Sequence, residues 1–229
     1  MCRTLGVFAK EPRPGQVKTR LAAALSPDGA AHVADAFLRD TLRRMAAVRA
    51  ERFLVFSPTS AAAYFQSLAA DCYALAPQGD GDLGQRLQRF VDGRLDSGSR
   101  HVVVIGTDSP TLPTAFVDQA FDELDRADVV LGPATDGGYY LIGLRRSSAV
   151  IFQGIDWGAA AVLAQTIARL PRECRLSLLP PWYDIDSETD WEMLRGHVAA
   201  IRRAGGDPLI PDTERLLSRL PTAAAPGSS

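Results

Sequence analysis

Short apolar runs alternate along the 229-residue chain with longer stretches in which apolar side chains return every three or four positions. The runs LGVFA (5–9), RFLVFS (52–57), CYALA (72–76), HVVVIG (101–106), DVVLG (128–132) and YYLIGL (139–144) have the length and side-chain character of strands. HVVVIG and DVVLG are continuously apolar, which predicts strands of a sheet covered on both faces. Between the runs, Val33, Phe37, Leu38, Thr41, Leu42 and Met45 recur at helical spacing. So do Leu83, Leu87, Phe90, Val91 and Leu95, and later Phe116, Ala120, Phe121 and Leu124. This alternation predicts an α/β fold in three layers, α/β/α, around a mostly parallel sheet. Only PATDGG separates DVVLG from YYLIGL, too short for a parallel crossover, so one strand there runs antiparallel and the sheet is mixed. RLSLLP (175–180) and a helix from about Ser187 complete the pattern. No linker-like stretch and no internal repeat interrupts it, so a single domain is expected over 1–220, with PTAAAPGSS (221–229) as a flexible tail.

In such sheets ligands gather beyond the carboxyl ends of the strands. The segments that follow the strands are KEPRPGQVKTR (10–20), QGDGDLGQR (78–86), TDSP (107–110), PATDGG (133–138) and PWYDIDSETD (181–190), all rich in charge, Gly or Pro. In the first, Lys10, Arg13, Lys18 and Arg20 flank Gly15 between stiffening prolines, a set suited to neutralising a di- or triphosphate while bare backbone approaches it. A solvated surface loop with stray cations has the same composition. GxxxxGK[ST] is absent, since Lys18 lies three residues after Gly15, and no GxGxxG follows the first strand, which argues against a dinucleotide site.

Asp108 follows the most apolar strand directly, and Pro110 holds Ser109 extended. A carboxylate fixed there suits Mg²⁺ or Mn²⁺, and a turn or helix cap is the plain alternative. Ser187 and Asp190 spell a capping box, which leaves Asp184 and Asp186 without a structural reason. Asp108 and Asp186, from different strand ends, are the pair expected to share one or two cations. Asp136 precedes Gly137 and Gly138, which read either as a tight turn or as bare backbone beside a substrate stacked on Tyr139 or Tyr140. Gly79, Gly81, Gly84 and Arg86 lie where a loop feeds a helix N-terminus, suited to an anion or a base, though a plain loop fits equally well.

Composition narrows the classes. A formal net charge of −2 gives no general attraction to nucleic acid or anionic membrane, so a basic site must be local. Three widely spaced cysteines without a CxxC pair argue for reduced thiols in a cytoplasm, against disulfides and against a zinc site. The opening MCRTLGVFAK is too short an apolar run for a secretory signal, and no stretch reaches the roughly 18 apolar residues of a membrane span. The three histidines share no spacing, so no Ser-His-Asp arrangement is argued, and the tryptophans read as packing.

Taken together and in this order, FAKEPRPGQVKTRL, QGDGDLGQR, GTDSPTLP, GPATDGGYYLIGL and DIDSETDW resemble the bacterial transferase family associated with radical-SAM and selenodomain proteins. Its members are also labelled arsenosugar-biosynthesis-type glycosyltransferases. The resemblance runs from about Leu5 to Trp191 and implies a GT-A-type nucleotide-diphospho-sugar transferase fold, shared with molybdopterin and phospholactate guanylyltransferases. It implies a nucleotide site of Ala9, Lys10, Gly15, Lys18, Arg20, Gly79, Leu83, Gly84 and Arg86, and a metal held by Asp108 and Asp186. Lys18, Asp108 and Asp136 are the expected catalytic residues, and Asp136, Gly137, Gly138 and Tyr139 the expected acceptor contacts. GTDSP departs from the DxD of many GT-A enzymes, and Glu188 stands where a related DVDTPED pattern has proline.

The first expectation is therefore a cytoplasmic, metal-dependent glycosyltransferase that takes a nucleotide sugar and a small-molecule acceptor. The second is a nucleotidyltransferase in which a phosphorylated substrate displaces pyrophosphate from an NTP. The third is a non-catalytic nucleotide-binding protein.

Overall fold

A computed structural model describes residues 2–147 and 149–219, so the tail expected at 221–229 lies outside the described residues. In chain order the elements are β1 (Arg3–Lys10), α1 (Ala22–Met45), β2 (Glu51–Ser57), α2 (Ala62–Ala69), β3 (Ala74–Pro77), α3 (Leu83–Asp96), β4 (His101–Ile105) and α4 (Thr114–Glu123), followed by β5 (Val129–Pro133), β6 (Tyr139–Leu144), α5 (Val162–Ala168), β7 (Leu176–Leu178), α6 (Glu188–Arg203) and α7 (Pro211–Leu217). The chain gathers into two compact units. One holds the residues up to Glu11, Met45–Gly106 and Leu112–Tyr183, and the other Pro12–Arg44, Thr107–Thr111 and the chain from Asp184. Each is made of three separated segments, so no single cut in the chain divides them.

The first unit carries a seven-stranded sheet in the order β3-β2-β1-β4-β6-β5-β7. Every pairing is parallel except those of β6, which runs antiparallel to both β4 and β5. The short PATDGG connection dictates that reversal. Every residue of β4 is buried, as its unbroken apolar run requires.

Alternation along β1 sorts the two faces. On one, a Cβ at Gly6 would lie 2.4 Å from the Phe90 ring of α3, so only glycine lets that ring settle on the strand. Phe90 meets Phe8 and Phe53 edge-on at 5.7 and 5.8 Å. On the other face, Phe65 of α2 stacks on Phe56 at 5.0 Å, and Leu124, just beyond α4, closes over Gly143. Helices therefore cover both faces, giving the expected three layers.

In the second unit, α1 is broken at Ser26 (φ 67°), which admits Pro27 inside an otherwise continuous helix. Asp40, fully buried on α1, accepts the backbone N–H groups of Asp212 (3.2 Å) and Thr213 (2.8 Å) and a bond from Arg43 Nη1 (2.6 Å). A carboxylate on α1 thus serves the orphan donors of α7. Burial pushes its pKa up, and the Thr213 and Asp212 hydrogen bonds only partly offset that.

The expected CYALA strand starts two residues late, because the Cys72 N–H closes a turn on the Ala69 carbonyl (3.2 Å). Helices α2, α5 and α7 carry no prior expectation. Among the described residues no helix is long and apolar enough to cross a membrane. Substituting Gly6→Ala is expected to lower stability by about 1–3 kcal/mol through overpacking against Phe90. A lower urea midpoint at unchanged slope is the readout, and an unmoved midpoint would show that the ring yields freely.

Candidate functional site

The second unit brings together Lys18, Arg20, Asp108 and Asp186. Lys18 adopts a left-handed backbone (φ 48°), a conformation that costs a non-glycine residue about 1–2 kcal/mol. Its carbonyl accepts the Ala22 N–H (2.9 Å), which ties the strained residue to the start of α1. Its side chain is only 4% exposed. Lys18 Nζ donates to Asp186 Oδ1 at 2.8 Å and pairs with Asp108 Oδ1. The ammonium also lies 5.5 Å from the centre of the Phe37 ring, which is itself stacked on the buried Trp191 at 6.2 Å. Arg20 Nη2 donates to the other Asp186 oxygen at 2.6 Å.

The backbone holds these carboxylates independently of the cations. The Ile185 N–H donates to the Asp108 carbonyl (3.0 Å), joining 107–111 to 184–186. Ser187 and Asp190 form the expected capping box at the start of α6. Asp190 Oδ2 also accepts the Asp186 N–H at 3.1 Å, so the cap fixes the residue beside it as well.

Burial alone lowers the Lys18 pKa, but Asp108 and Asp186 outweigh it and hold the value above the ordinary lysine one. For Asp186, burial acts upward while Lys18 and then Arg20 pull harder, so its pKa lies below the ordinary carboxylate value. Two cations face two carboxylates here, and Asp184 brings a further carboxylate within 4.8 Å of that of Asp186. The ammonium marks a point within contact distance of one oxygen from each carboxylate, and an oxygen-only donor set of this kind fits a hard divalent cation.

Apart from Gly15, the remaining predicted residues lie in the first unit, near the carboxyl ends of its parallel strands. Gln78 Nε2 donates to the carbonyls of Ala9 (3.2 Å) and Val55 (3.0 Å), and Arg86 Nη1 donates to Gln78 Oε1 at 3.3 Å. The buried Gln78 therefore links the end of β1, where Ala9 and the exposed Lys10 sit, to the 78–86 segment. Gly79 (φ 74°) and Gly81 (φ 101°) turn the chain into α3, whose start is a capping box between Asp82 and Gln85. Leu83 begins that helix half-exposed, while Gly84 is packed against the Phe152 carbonyl and Trp157.

In the 133–138 turn, Asp136 Oδ1 accepts the Gly138 N–H at 2.8 Å. Gly137 (φ 93°) is required both by its backbone and by the Ala160 carbonyl, which a Cβ would meet at 1.9 Å. Tyr139 packs edge-on against Trp157 (6.3 Å), and Tyr140 donates its hydroxyl to the Pro180 carbonyl (2.9 Å). Gly15 (φ 73°), in the second unit, has open space around its Cα. The sequence does not single out Phe37, which looks like any residue of a core stripe. Gln78, a lone polar residue just past a strand end, is the one missed position with a readable signal.

The chain matches a described bacterial family over residues 41–159. It belongs to DUF2064, uncharacterized proteins conserved in bacteria. The matched span contains Asp108, Asp136 and the 78–86 segment; Lys18, Arg20 and Asp186 lie outside it. A Desulfovibrio desulfuricans G20 protein, provisionally described as a nucleotide-diphospho-sugar transferase, has a crystal structure that superposes with a TM-score of 0.84 at 31% identity, covering 96% of this chain and 99% of that one. The 2-phospho-L-lactate guanylyltransferase of Methanothermobacter thermautotrophicus is 33% identical over 132 residues, 57% of this chain. The chain spans only 57% of that relative's length. A Leptospira borgpetersenii cytidylyltransferase shares the fold at 13% identity, with a TM-score of 0.56 over 98% of this chain and 99% of that one.

The pKa directions fix how the cluster responds to pH. Asp186, with its folded value below 3.8, contributes stability above that value and loses it as pH falls through the folded pKa. Lys18, with its folded value above 10.5, contributes below that value and loses it as pH rises through the folded pKa. The urea midpoint of the wild type should exceed that of Asp186→Asn from about pH 5 to 9, and the two should converge near pH 2. A gap that persists undiminished in acid would show that the charge of Asp186 does not carry it.

Proposed function

We propose that this chain is a metal-dependent transferase using a nucleotide-activated donor, a nucleoside-diphosphate sugar, and a small-molecule acceptor. The observation that carries this reading is the meeting of a buried lysine and an arginine with two carboxylates from separate segments. The likeness to the D. desulfuricans protein over nearly the whole chain adds support. Asp108 and Asp186 would hold Mg²⁺ or Mn²⁺, which when bound neutralises phosphate charge.

Lys18 and Arg20 turn from the carboxylates to donate charge-assisted hydrogen bonds to the donor's phosphate oxygens. They stabilise the negative charge that grows on the departing diphosphate as the glycosidic bond breaks. Gly15 lets backbone approach the phosphates. Ala9, Lys10, Gly79, Leu83, Gly84 and Arg86 line the nucleoside. Asp136 takes the acceptor's proton as its oxygen attacks the anomeric carbon, with Gly137, Gly138 and Tyr139 beside the acceptor. Cys2, Cys72 and Cys174 are all free, in keeping with a reducing cytoplasm. Glycosyl transfer is also what the likeness to radical-SAM-associated transferases implies.

The guanylyltransferase relative favours a second reading. Here an oxygen of a phosphorylated acceptor attacks the α-phosphorus of an NTP, and the same two cations receive the charge of the leaving pyrophosphate.

A thermal-shift panel of NTPs and nucleotide sugars, with and without Mg²⁺ or Mn²⁺, separates the readings. A ligand at a hundred times its Kd adds ~2.7 kcal/mol, about 5–10 °C for a chain of this size. A metal-dependent shift confined to nucleotide sugars supports glycosyl transfer, and turnover of an NTP to pyrophosphate supports nucleotidyl transfer. No shift with any nucleotide overturns both. In Asp108→Ala the metal-dependent part of the shift should vanish while a cooperative melting transition remains.

A further inference from the structure

We propose that Lys18 is the resident counter-ion of the Asp108–Asp186 pair and admits a divalent cation only when a nucleotide's phosphates draw the ammonium away. The inference rests on the donor reading above and adds to it a rule for the order of binding. Lys18 Nζ touches one oxygen of each carboxylate, and Arg20 Nη2 occupies the second oxygen of Asp186 at 2.6 Å. The position in which one ion reaches both carboxylates is therefore already held by a positive charge.

With Asp184, whose carboxylate comes within 4.8 Å of that of Asp186, the five charged groups sum to −1. A divalent cation added to that set brings a net charge of +1 to a place where Lys18 is 4% exposed and water screens little. Nor can the ammonium simply retreat. The Phe37 ring lies beneath it at 5.5 Å, and the Lys18 backbone is pinned by its carbonyl's bond to Ala22 N–H at 2.9 Å. Leaving both carboxylates for an apolar neighbour would strand a buried cation. Phosphate oxygens supply the one destination that keeps Lys18 paired, and Arg20 follows to the same anion. Metal and nucleotide then each raise the other's affinity, by the same factor in both directions. The protein refuses free metal and takes metal together with nucleotide.

A lysine that merely props up the fold makes the opposite forecast for its removal. Neutral Lys18→Met removes the charge between the two carboxylates and leaves only Arg20 on the far oxygen of Asp186, so the pair recruits a cation. Titration of the full chain with Mn²⁺ alone, followed by the electron paramagnetic resonance of the free ion, reads this directly. Lys18→Met and Lys18→Gln are each expected to bind Mn²⁺ at least tenfold more tightly than the wild type, and Asp108→Asn placed on Lys18→Met should erase the gain. Mn²⁺ should also raise the melting temperature of both neutral variants and leave that of the wild type nearly unmoved. A variant that folds only when Mn²⁺ is supplied counts in favour, because the ion then replaces the ammonium. Equal or weaker Mn²⁺ binding in both variants, or variants that Mn²⁺ fails to stabilise, would overturn the counter-ion role. That failure stays distinct from failure of the donor reading. Wild-type nucleotide shifts without any gain in Mn²⁺ affinity sink only the counter-ion role, and the gain without wild-type nucleotide shifts sinks only the donor reading.

Discussion

A buried ammonium needs counter-charges within the protein, and Lys18 draws on two of them from parts of the chain about 90 and 170 residues away. Around this contact the second unit takes its form. The loop before α1, the segment after β4 and the approach to α6 are each held through a backbone N–H, from Ala22 to the Lys18 carbonyl, from Ile185 to the Asp108 carbonyl and from Asp186 to the Asp190 carboxylate. The main chain is thus fixed while the charged tips remain able to change partners. This division suits a site whose occupant comes and goes, because exchanging salt bridges leaves the backbone frame intact. The left-handed conformation of Lys18 belongs to the same economy: strain is tolerated where it aims one side chain.

The sheet contributes by contrast. Its strands are spent on packing, with β4 buried throughout and Gly6 reduced to bare backbone so that an aromatic ring can lie on it. Such strands still bury Thr4 and His101, and further polar residues collect where the strands end. Asp108, Gln78 and Asp136 all follow strands directly or nearly so. Several glycines near those ends have purely structural duties as well. Gly84 and Gly137 accept close neighbours that no side chain would allow, which accounts for them whatever else they touch.

Much of this was open to a reader of the sequence alone. Strands announce themselves when burial on both faces forces an unbroken apolar run, as in HVVVIG, and YYLIGL coincides residue for residue with β6. The reversal of β6 follows from the length of one connection. Ser187 and Asp190 reveal a cap because capping is local, three residues apart. What stays hidden depends on partners remote in sequence or on short, weakly patterned elements. The AAAYFQSLA stretch has no clear polar face, so α2 goes unnoticed, and the seven-residue α5 and α7 are too brief for a period to emerge. Lys18, Asp108 and Asp186 stand out as polar residues in segments that follow strands, and Lys18 does contact both carboxylates. The aromatic floor supplied by Phe37 and the second bond made by Asp190 could not be read, since each follows from a neighbour that only folding provides.

Asp40 carries one further implication, for how far the chain can be shortened. Its carboxylate sits at 0% exposure, with Thr213 and Asp212 among its donors. A truncation before Pro211 would remove both of those amides and leave an anion deep in the remaining helices facing Arg43. The seventh helix is for that reason no dispensable appendage: α1, which begins beside Lys18, is completed by residues encoded some 170 positions later, and any excised fragment meant to retain the lysine's setting has to include both.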